Sequence, residues 1–96
     1  METTLLIRYR IDDFDRFKPV FDDFGANRRA HGAIGHRLLQ LANDPREMVV
    51  MVDFPSPEAA QGFLNDPERA DALVRAGIDS ESDRAEPLEE IEQLDY

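Results

Sequence analysis

The sequence contains no cysteine and no tryptophan. A chain without cysteine forms no disulfide, binds no metal through a thiolate and uses no thiol nucleophile, and this composition is typical of a reducing compartment. The sequence also has no apolar run near the roughly 18 residues that a membrane span needs, and no basic stretch followed by an apolar one near its N-terminus. We therefore expect a cytoplasmic protein that is neither secreted nor inserted in a membrane.

Basic residues are scarce, with 11 Lys and Arg against 21 Asp and Glu and a net charge of -10 at pH 7. Because affinity for nucleic acid comes largely from Lys and Arg displacing counterions, nucleic acid is not expected as a partner. The acidity favours solubility, and a cationic partner protein is the alternative explanation. A length of 96 residues suits one domain, predicted to span residues 1–96.

Motifs that bind phosphate cofactors or metals are also missing. There is no P-loop, no dinucleotide-binding glycine pattern and no GxSxG nucleophile motif. The two histidines, His31 and His36, fall on different predicted elements, and no paired carboxylates are spaced to join them. We expect neither a cofactor nor a metal ion.

The first predicted element is a strand over Thr3–Ile11, where apolar and polar residues alternate. One side carries Leu5, Ile7, Tyr9 and Ile11, and the other carries Leu6, Arg8 and Arg10. A helix follows because Asp12 and Asp13 offer N-cap oxygens and apolar residues recur at spacings of three and four. These are Phe14, Phe17, Val20, Phe21 and Phe24. The helix is predicted to end near Ala30, with Pro19 either kinking it or moving its start toward Lys18.

Two strands are predicted over residues 33–41 and 47–54, joined by a turn at Asn43, Asp44 and Pro45. Residues 48–52 are apolar without alternation, which indicates a strand covered on both faces. Since one layer of helices covers only one face of a four-stranded sheet, a second subunit is the simplest cover for the other. We therefore expect a homodimer that pairs through the sheet.

A helix broken in two follows, with starts at Ser56 and Asp66 and an end at Gly77. Residues 79–86 are predicted to be a loop, and residues 87–95 an edge strand, with a terminal helix as the alternative. The resulting order is strand, helix, strand, strand, helix, strand. It predicts an α+β, ferredoxin-like split βαβ domain, with helices on one face of a four-stranded antiparallel sheet.

Several segments resemble the dimeric α+β barrel superfamily, in particular small antibiotic-biosynthesis-monooxygenase-like and cyclase-like proteins. They are Asp13-Phe14-Asp15-Arg16-Phe17, Arg28-Arg29-Ala30-His31-Gly32, Asn43-Asp44-Pro45-Arg46-Glu47, Ser56-Pro57-Glu58-Ala59-Ala60 with Phe63, and Asp66-Pro67-Glu68. The resemblance covers nearly the whole chain and implies two sheets facing each other in a dimer, with a cavity between each sheet and its helices for aromatic or polyketide-like ligands. Members include cofactor-free oxygenases, haem-degrading oxygenases and isomerases. Several use a tryptophan that this chain lacks, so no catalytic motif transfers.

His36 is the first candidate for acid-base catalysis, because its strand position allows the imidazole to project into a cavity. Asp53 is the second, as the one acid inside the most apolar strand, where a buried carboxylate could act as a base. The alternatives are a hydrogen-bonded histidine near the sheet edge and a carboxylate at a strand end in solvent. His31, Arg28 and Arg29 are explained as charges that complement the end of the first helix.

Four further residues are candidates for ligand binding. Arg8 and Arg10 share one strand face and could hold an anionic group, or pair with acids of a partner subunit. Tyr9 offers a phenol to a pocket, and Phe21 belongs to the phenylalanine row that could wall a cleft, although both types are common in cores.

Three functions remain open at this point. The first is a homodimeric small-molecule binding or accessory protein with an apolar cavity. The second is a cofactor-independent oxygenase or cyclase in which His36 or Asp53 removes a phenolic proton and Arg8 or Arg10 steadies the anion. The third is a structural partner in a larger assembly, with no cavity near the roughly 300 Å³ of small ligand sites.

Overall fold

The computed structural model describes residues 2–96. Four strands and four helices follow one another along the chain. In order they are β1 (Thr3–Ile11), α1 (Phe14–Asp23), α2 (Gly25–Ala30), β2 (Gly35–Leu41), β3 (Asp44–Phe54), α3 (Pro57–Leu64), α4 (Pro67–Arg75) and β4 (Ile78–Leu88). None of these helices is long and apolar enough to cross a membrane, within residues 2–96.

The strands form one antiparallel sheet in the order β2-β3-β1-β4. The hairpin of β2 and β3 lies on one side of β1, and β4 returns along its other side. This is the α+β, ferredoxin-like arrangement, and the predicted fold class is confirmed.

The two faces of the sheet differ because side chains alternate along each strand. The predicted alternation in β1 is confirmed, since its apolar set is buried beneath the helices. The core on that face consists of Leu5, Ile7, Tyr9, Ile11, Phe17, Phe21, Met48, Val50, Val52, Phe54, Ala60, Phe63 and Ala76. We call the opposite, helix-free side the open face. Val49 and Met51 of β3 lie there half-buried.

Side-chain caps start three of the helices, as the sequence predicts. Asp13 accepts a hydrogen bond from the amide of Asp15 at 3.2 Å, and Ser56 accepts one from Ala59 at 3.1 Å. Asp66 caps α4 by accepting from the amide of Glu68 at 2.9 Å. Gly77 has a φ of 72°, the left-handed conformation that lets the chain leave α4 and enter β4.

The first helical segment differs from its prediction. It begins at Phe14 with Pro19 inside it, and it divides at Phe24, whose ψ of -3° tightens the turn before α2 starts at Gly25. The predicted single helix to Ala30 is therefore two helices. The following strands begin at Gly35 rather than residue 33, and at Asp44 rather than residue 47.

The prediction for the C-terminal part was wrong in position. Residues 79–86 are not a loop but most of β4, and residues 89–96 have no regular secondary structure. An edge strand is held by main-chain hydrogen bonds to one neighbour, so it needs few apolar side chains, and its acidic composition hid it. Pro87 is tolerated there because a strand edge leaves some amides without a ladder partner.

Candidate functional site

A cavity of about 40 Å³ lies between the covered face of the sheet and the helices. Phenylalanines from α1 and α3 meet β1 and β3 around it, and α4 closes the remaining side. Its apolar lining is Ile7, Phe17, Val20, Phe21, Phe24, Val50, Val52, Phe63, Ala72, Leu73, Ala76 and Ile78. Three side chains with polar groups complete it, namely Tyr9, Arg28 and Arg69. The cavity is thus apolar with a few hydrogen-bonding groups, which is the usual composition of a small-molecule site.

Tyr9 projects from the centre of the sheet toward the cavity and is 5% exposed. Its ring packs edge-on against Phe17, with the ring centroids 5.8 Å apart. Burial raises the pKa of the Tyr9 phenol above its ordinary value, although nearby Arg69 and Arg28 oppose the shift. The phenol therefore stays protonated at neutral pH and can donate a hydrogen bond.

Arg28 lies at the end of α2 and is only 6% exposed. Its Nη2 donates to the carbonyl oxygen of Phe21 at 2.7 Å, and its guanidinium carbon sits 4.1 Å from the centroid of the Phe21 ring. Burial lowers the pKa of this guanidinium. The side chain is thus a desolvated cation held against an aromatic ring at the cavity wall.

Arg69 is held in place by the carboxylate of Asp83, which lies in an irregular part of β4. Arg8 of β1 pairs with Arg84 and Arg10 pairs with Asp79, so residues 80–83 bulge opposite Tyr9. The bulge turns Asp83 toward α4, where it accepts hydrogen bonds from Nη1 and Nη2 of Arg69 at 2.8 and 2.9 Å. Bulges commonly re-aim a side chain near a functional site, and this one fixes Arg69 beside the phenol.

His36 stands outside the cavity, on the same side of the sheet. Its ring meets that of Phe21 edge-on at 5.2 Å between centroids. It borders an outer groove of about 180 Å³, which shares Arg28 and Val52 with the cavity. Partial burial and then the charge of Arg28 lower the pKa of His36 below 6.5, so the imidazole is neutral at pH 7 and can accept a proton.

No family model matches the sequence, and no curated protein matches it. Solved structures do match. A mutant of SnoaB, a cofactor-independent oxygenase from Streptomyces nogalater, has a TM-score of 0.77 at 18% identity over 97% of this chain and 96% of that one. Rv0793 from Mycobacterium tuberculosis has a TM-score of 0.73 at 15% identity over 99% and 100%. A structure described as an antibiotic biosynthesis monooxygenase has a TM-score of 0.71 at 14% identity over 94% and 99%.

The chain has the antibiotic biosynthesis monooxygenase fold. The resemblance drawn from the sequence segments is thereby confirmed at the level of fold. Identities this low do not carry an activity from one protein to another.

The fold separates the two residues predicted as catalytic candidates, His36 and Asp53. Asp53 faces the open side of the sheet, where it accepts a hydrogen bond from the hydroxyl of Thr4 at 2.6 Å. His36 is directly opposite Val52 on β3, and therefore on the covered side. The two residues cannot act on one substrate atom, and any role for Asp53 in catalysis stays a prediction with no support from the cavity.

Arg8 and Arg10 also point to the open face of the sheet. Nη1 of Arg10 donates to Asp44 at 2.9 Å, and Nε of Arg8 lies 3.5 Å from a carboxylate oxygen of Glu47. Both acids belong to the same chain. The two arginines do not line the cavity between sheet and helices, so a ligand there would not meet them.

The sequence reasoning identified Tyr9 and Phe21 as candidates and both line the cavity, whereas it missed Arg28 and Arg69. A signal for each was present in the spacing. Arg28 lies seven residues after Phe21 and four after Phe24, and Arg69 lies three residues before Ala72. Each arginine therefore sits on the apolar face of its helix. No cluster within residues 2–96 has the His, Cys, Asp or Glu ligands for a metal ion.

Proposed function

We propose that this chain is a homodimeric binding protein for an apolar, ring-containing small molecule. The observation that carries the proposal is the cavity, in which phenylalanine rings surround one phenol and two guanidinium groups. Aromatic walls favour planar ring systems, and the three polar groups can orient the oxygen atoms of a ligand. SnoaB, which has the same fold, is an oxygenase that needs no cofactor.

A ligand enters this cavity only if its wall opens. The volume of about 40 Å³ is far below the roughly 300 Å³ of small-molecule sites. Phe21 and Arg28 stand between the cavity and the outer groove of about 180 Å³ that His36 borders. Rotation of these two side chains would join the two spaces, so we place the entrance beside His36.

The homodimer is argued from the open face, where three strands bring apolar side chains together. Leu6 lies opposite Met51, and Leu39 lies opposite Val49, so these four residues form one patch. Charged residues flank it, including the pair of Arg8 and Glu47. A patch of this kind, with apolar centre and polar rim, suits a self-complementary interface with a second copy.

Native mass spectrometry of the purified protein tests both parts of the proposal. We expect a species at twice 11.0 kDa, and a mass increase equal to one ligand per chain after incubation with a polycyclic ketone such as anthrone. The matched control is Val20→Trp, which fills the cavity from a half-buried position on α1. It should abolish the ligand adduct and leave the dimer. A protein that is monomeric and binds no polycyclic compound would contradict the proposal.

A second candidate function is a cofactor-independent oxygenase, which the neutral imidazole of His36 favours. In this reaction His36 removes a proton from the ring carbon of an anthrone-like substrate, and Arg28 or Tyr9 stabilises the resulting oxyanion. The carbanion then reduces O₂. One anthrone and one O₂ give one anthraquinone and one water, which balances atoms and electrons.

Oxygen uptake with anthrone tests this second candidate. Turnover should rise with pH through the lowered pKa of His36 and become constant near neutrality, because only the neutral imidazole accepts a proton. We expect His36→Gln to reduce the rate by about 100-fold or more. His31→Gln is the control, since glutamine can still donate to Asp66. Equal rates in the two variants would exclude His36 as the base.

A further inference from the structure

The charge of Arg28 has no carboxylate partner within residues 2–96. All six ion pairs of this part of the chain involve other cations, and the guanidinium of Arg28 makes one hydrogen bond, to the carbonyl oxygen of Phe21. Arginine is rarely buried unless it is paired, yet this residue is 6% exposed. The chain has 21 acidic residues, so a shortage of carboxylates does not explain why Arg28 has no acidic partner.

The contrast with Arg69 shows what Arg28 lacks. Both guanidinium groups line the same cavity, and Arg69 is neutralised by two hydrogen bonds to Asp83. Arg28 has only the face of the Phe21 ring, which offsets part of its desolvation. A guanidinium carries five N–H donors in a planar fork that matches a carboxylate. Most of the donors of Arg28 are therefore left for another molecule.

The position of Arg28 also excludes the proposed subunit partner as the source of an acid. Arg28 lines both the cavity and the outer groove, and both lie on the helix-covered side of the sheet. A dimer formed through the open face leaves that side free. The cation is therefore reachable from the groove by a small molecule and not by the second sheet.

We propose that Arg28 binds the anionic oxygen group of the ligand, so that the protein selects aromatic compounds bearing a carboxylate over their neutral analogues. This inference rests on the proposed small-molecule function and narrows its ligand class. The ring system lies among the phenylalanines, and the anion pairs with Arg28 at the boundary of cavity and groove. The protonated phenol of Tyr9 supplies a further donor on the cavity side.

Two probes of nearly equal shape test the inference, 2-naphthoate and its neutral analogue 2-naphthamide, with the dissociation constant of each measured by isothermal titration calorimetry at pH 7. We expect the carboxylate to bind the unmodified protein at least tenfold more tightly than the amide. In Arg28→Met the ratio should fall to about one. Arg75→Met removes the same charge from the exposed end of α4, outside both the cavity and the groove, and should keep the ratio.

Each other result overturns the inference in a distinguishable way. Equal affinity of the two probes for the unmodified protein refutes an anion-selective site and leaves the small-molecule function standing. Binding of neither probe refutes both. A preference for the carboxylate that persists in folded Arg28→Met assigns the selectivity to another residue. If Arg28→Met does not fold, Arg28→Lys replaces the fork by a point charge, and an unchanged ratio of affinities in that variant refutes recognition by the fork.

Discussion

The two faces of the sheet are built from the same strands but differ in how deeply their side chains are buried. On the covered face, Leu5, Tyr9 and Val50 are at most 5% exposed and pack against the phenylalanines of α1. On the open face, Leu6, Val49 and Met51 remain half-buried. Two arginines of β1 on this face, Arg8 and Arg10, are paired with acids of the same chain. The covered face is completed by one chain, whereas the open face is not.

Because of this difference, we expect residues of the two faces to affect different quantities, namely the stability of one chain and the association of two chains. A residue of the covered face contributes through packing within the chain, so its loss should lower the free energy of unfolding. A residue of the open face should instead govern the affinity of one subunit for another. Two cations of the open face, Arg8 and Arg10, pair with acids of the same chain, whereas the buried cation Arg28 at the cavity has no carboxylate partner within residues 2–96.

The largest expected effect tests packing on the covered face. Phe17 is fully buried and contacts the rings of Tyr9, Phe14 and Phe21. Replacing it by alanine removes a large apolar side chain and leaves a void that the neighbours fill incompletely. We expect Phe17→Ala to lower the free energy of unfolding by about 3–5 kcal/mol, measured by urea denaturation.

The matched control for this prediction lies one turn earlier on the same helix. Phe14 is 44% exposed, so Phe14→Ala should lower the free energy of unfolding by about 1 kcal/mol. Similar losses in the two variants would contradict the view that the covered face is the stabilising core.

The second prediction tests association through the open face. Leu6 lies in its apolar patch, opposite Met51 on β3 and Glu86 on β4, so Leu6→Asp would place a carboxylate with no cation directly opposite it in the proposed interface. We expect the dimer to weaken at least 100-fold, which corresponds to about 3 kcal/mol, while the fold persists. Analytical ultracentrifugation measures the association and circular dichroism the fold.

Val74→Asp is the control, because Val74 is 68% exposed on α4 and lies away from the open face. It introduces the same charge and should leave the association unchanged. If Leu6→Asp remains as dimeric as the unmodified protein, the open face is not the interface.

The third prediction compares ion pairs on the two faces. Arg69 and Asp83 have side chains 11% and 18% exposed and make two hydrogen bonds, whereas Arg8 is 55% exposed and its contact with Glu47 is 3.5 Å long. Asp83→Asn leaves a desolvated guanidinium and should lower the free energy of unfolding by about 1–3 kcal/mol.

The control, Arg8→Met, should change the free energy of unfolding by less than about 1 kcal/mol, because exposed pairs contribute little. Chemical denaturation at equal ionic strength measures both. Equal losses in the free energy of unfolding would show that the pair of Arg69 and Asp83 stabilises the fold no more than the exposed pair of Arg8 and Glu47.

Much of the fold was predictable because the periodicity of β1 and α1 is strong. Leu5, Ile7 and Tyr9 alternate with polar residues, and the phenylalanines of α1 recur at helical spacing. The final strand was not predictable in the same way. Half of its residues at 79–86 are acidic, and it is placed by pairing with β1, which a local pattern does not record.

The cavity was predictable only in its apolar part. Tyr9 was identified because it offers a phenol to a pocket, and Phe21 because it belongs to a phenylalanine row that could wall a cleft. Arg28 was explained by the helix end alone, since basic residues there are expected for electrostatic reasons. Asp83 reaches the site through a bulge in β4 that depends on the register with β1, so no local signal revealed it.

The smallest expected effect concerns the hydrogen bonds to Asp66 that join the helices over the covered face. The Asp66 carboxylate accepts hydrogen bonds from Nε2 of His31 at 2.8 Å, from Asn27 at 3.0 Å and from the amide of Glu68 at 2.9 Å. The bond from His31 and then that from Asn27 lower the pKa of Asp66 from 3.8 to about 2. A carboxylate whose pKa is lower in the folded state stabilises the fold above pH 3.8, and this stabilisation is lost as the pH falls toward 2.

Asp66→Asn keeps a side-chain oxygen that can cap α4 but does not titrate. We expect the melting temperature of the unmodified protein to fall more steeply between pH 4 and pH 2 than that of the variant, whereas identical slopes would mean that this carboxylate does not fasten the helices.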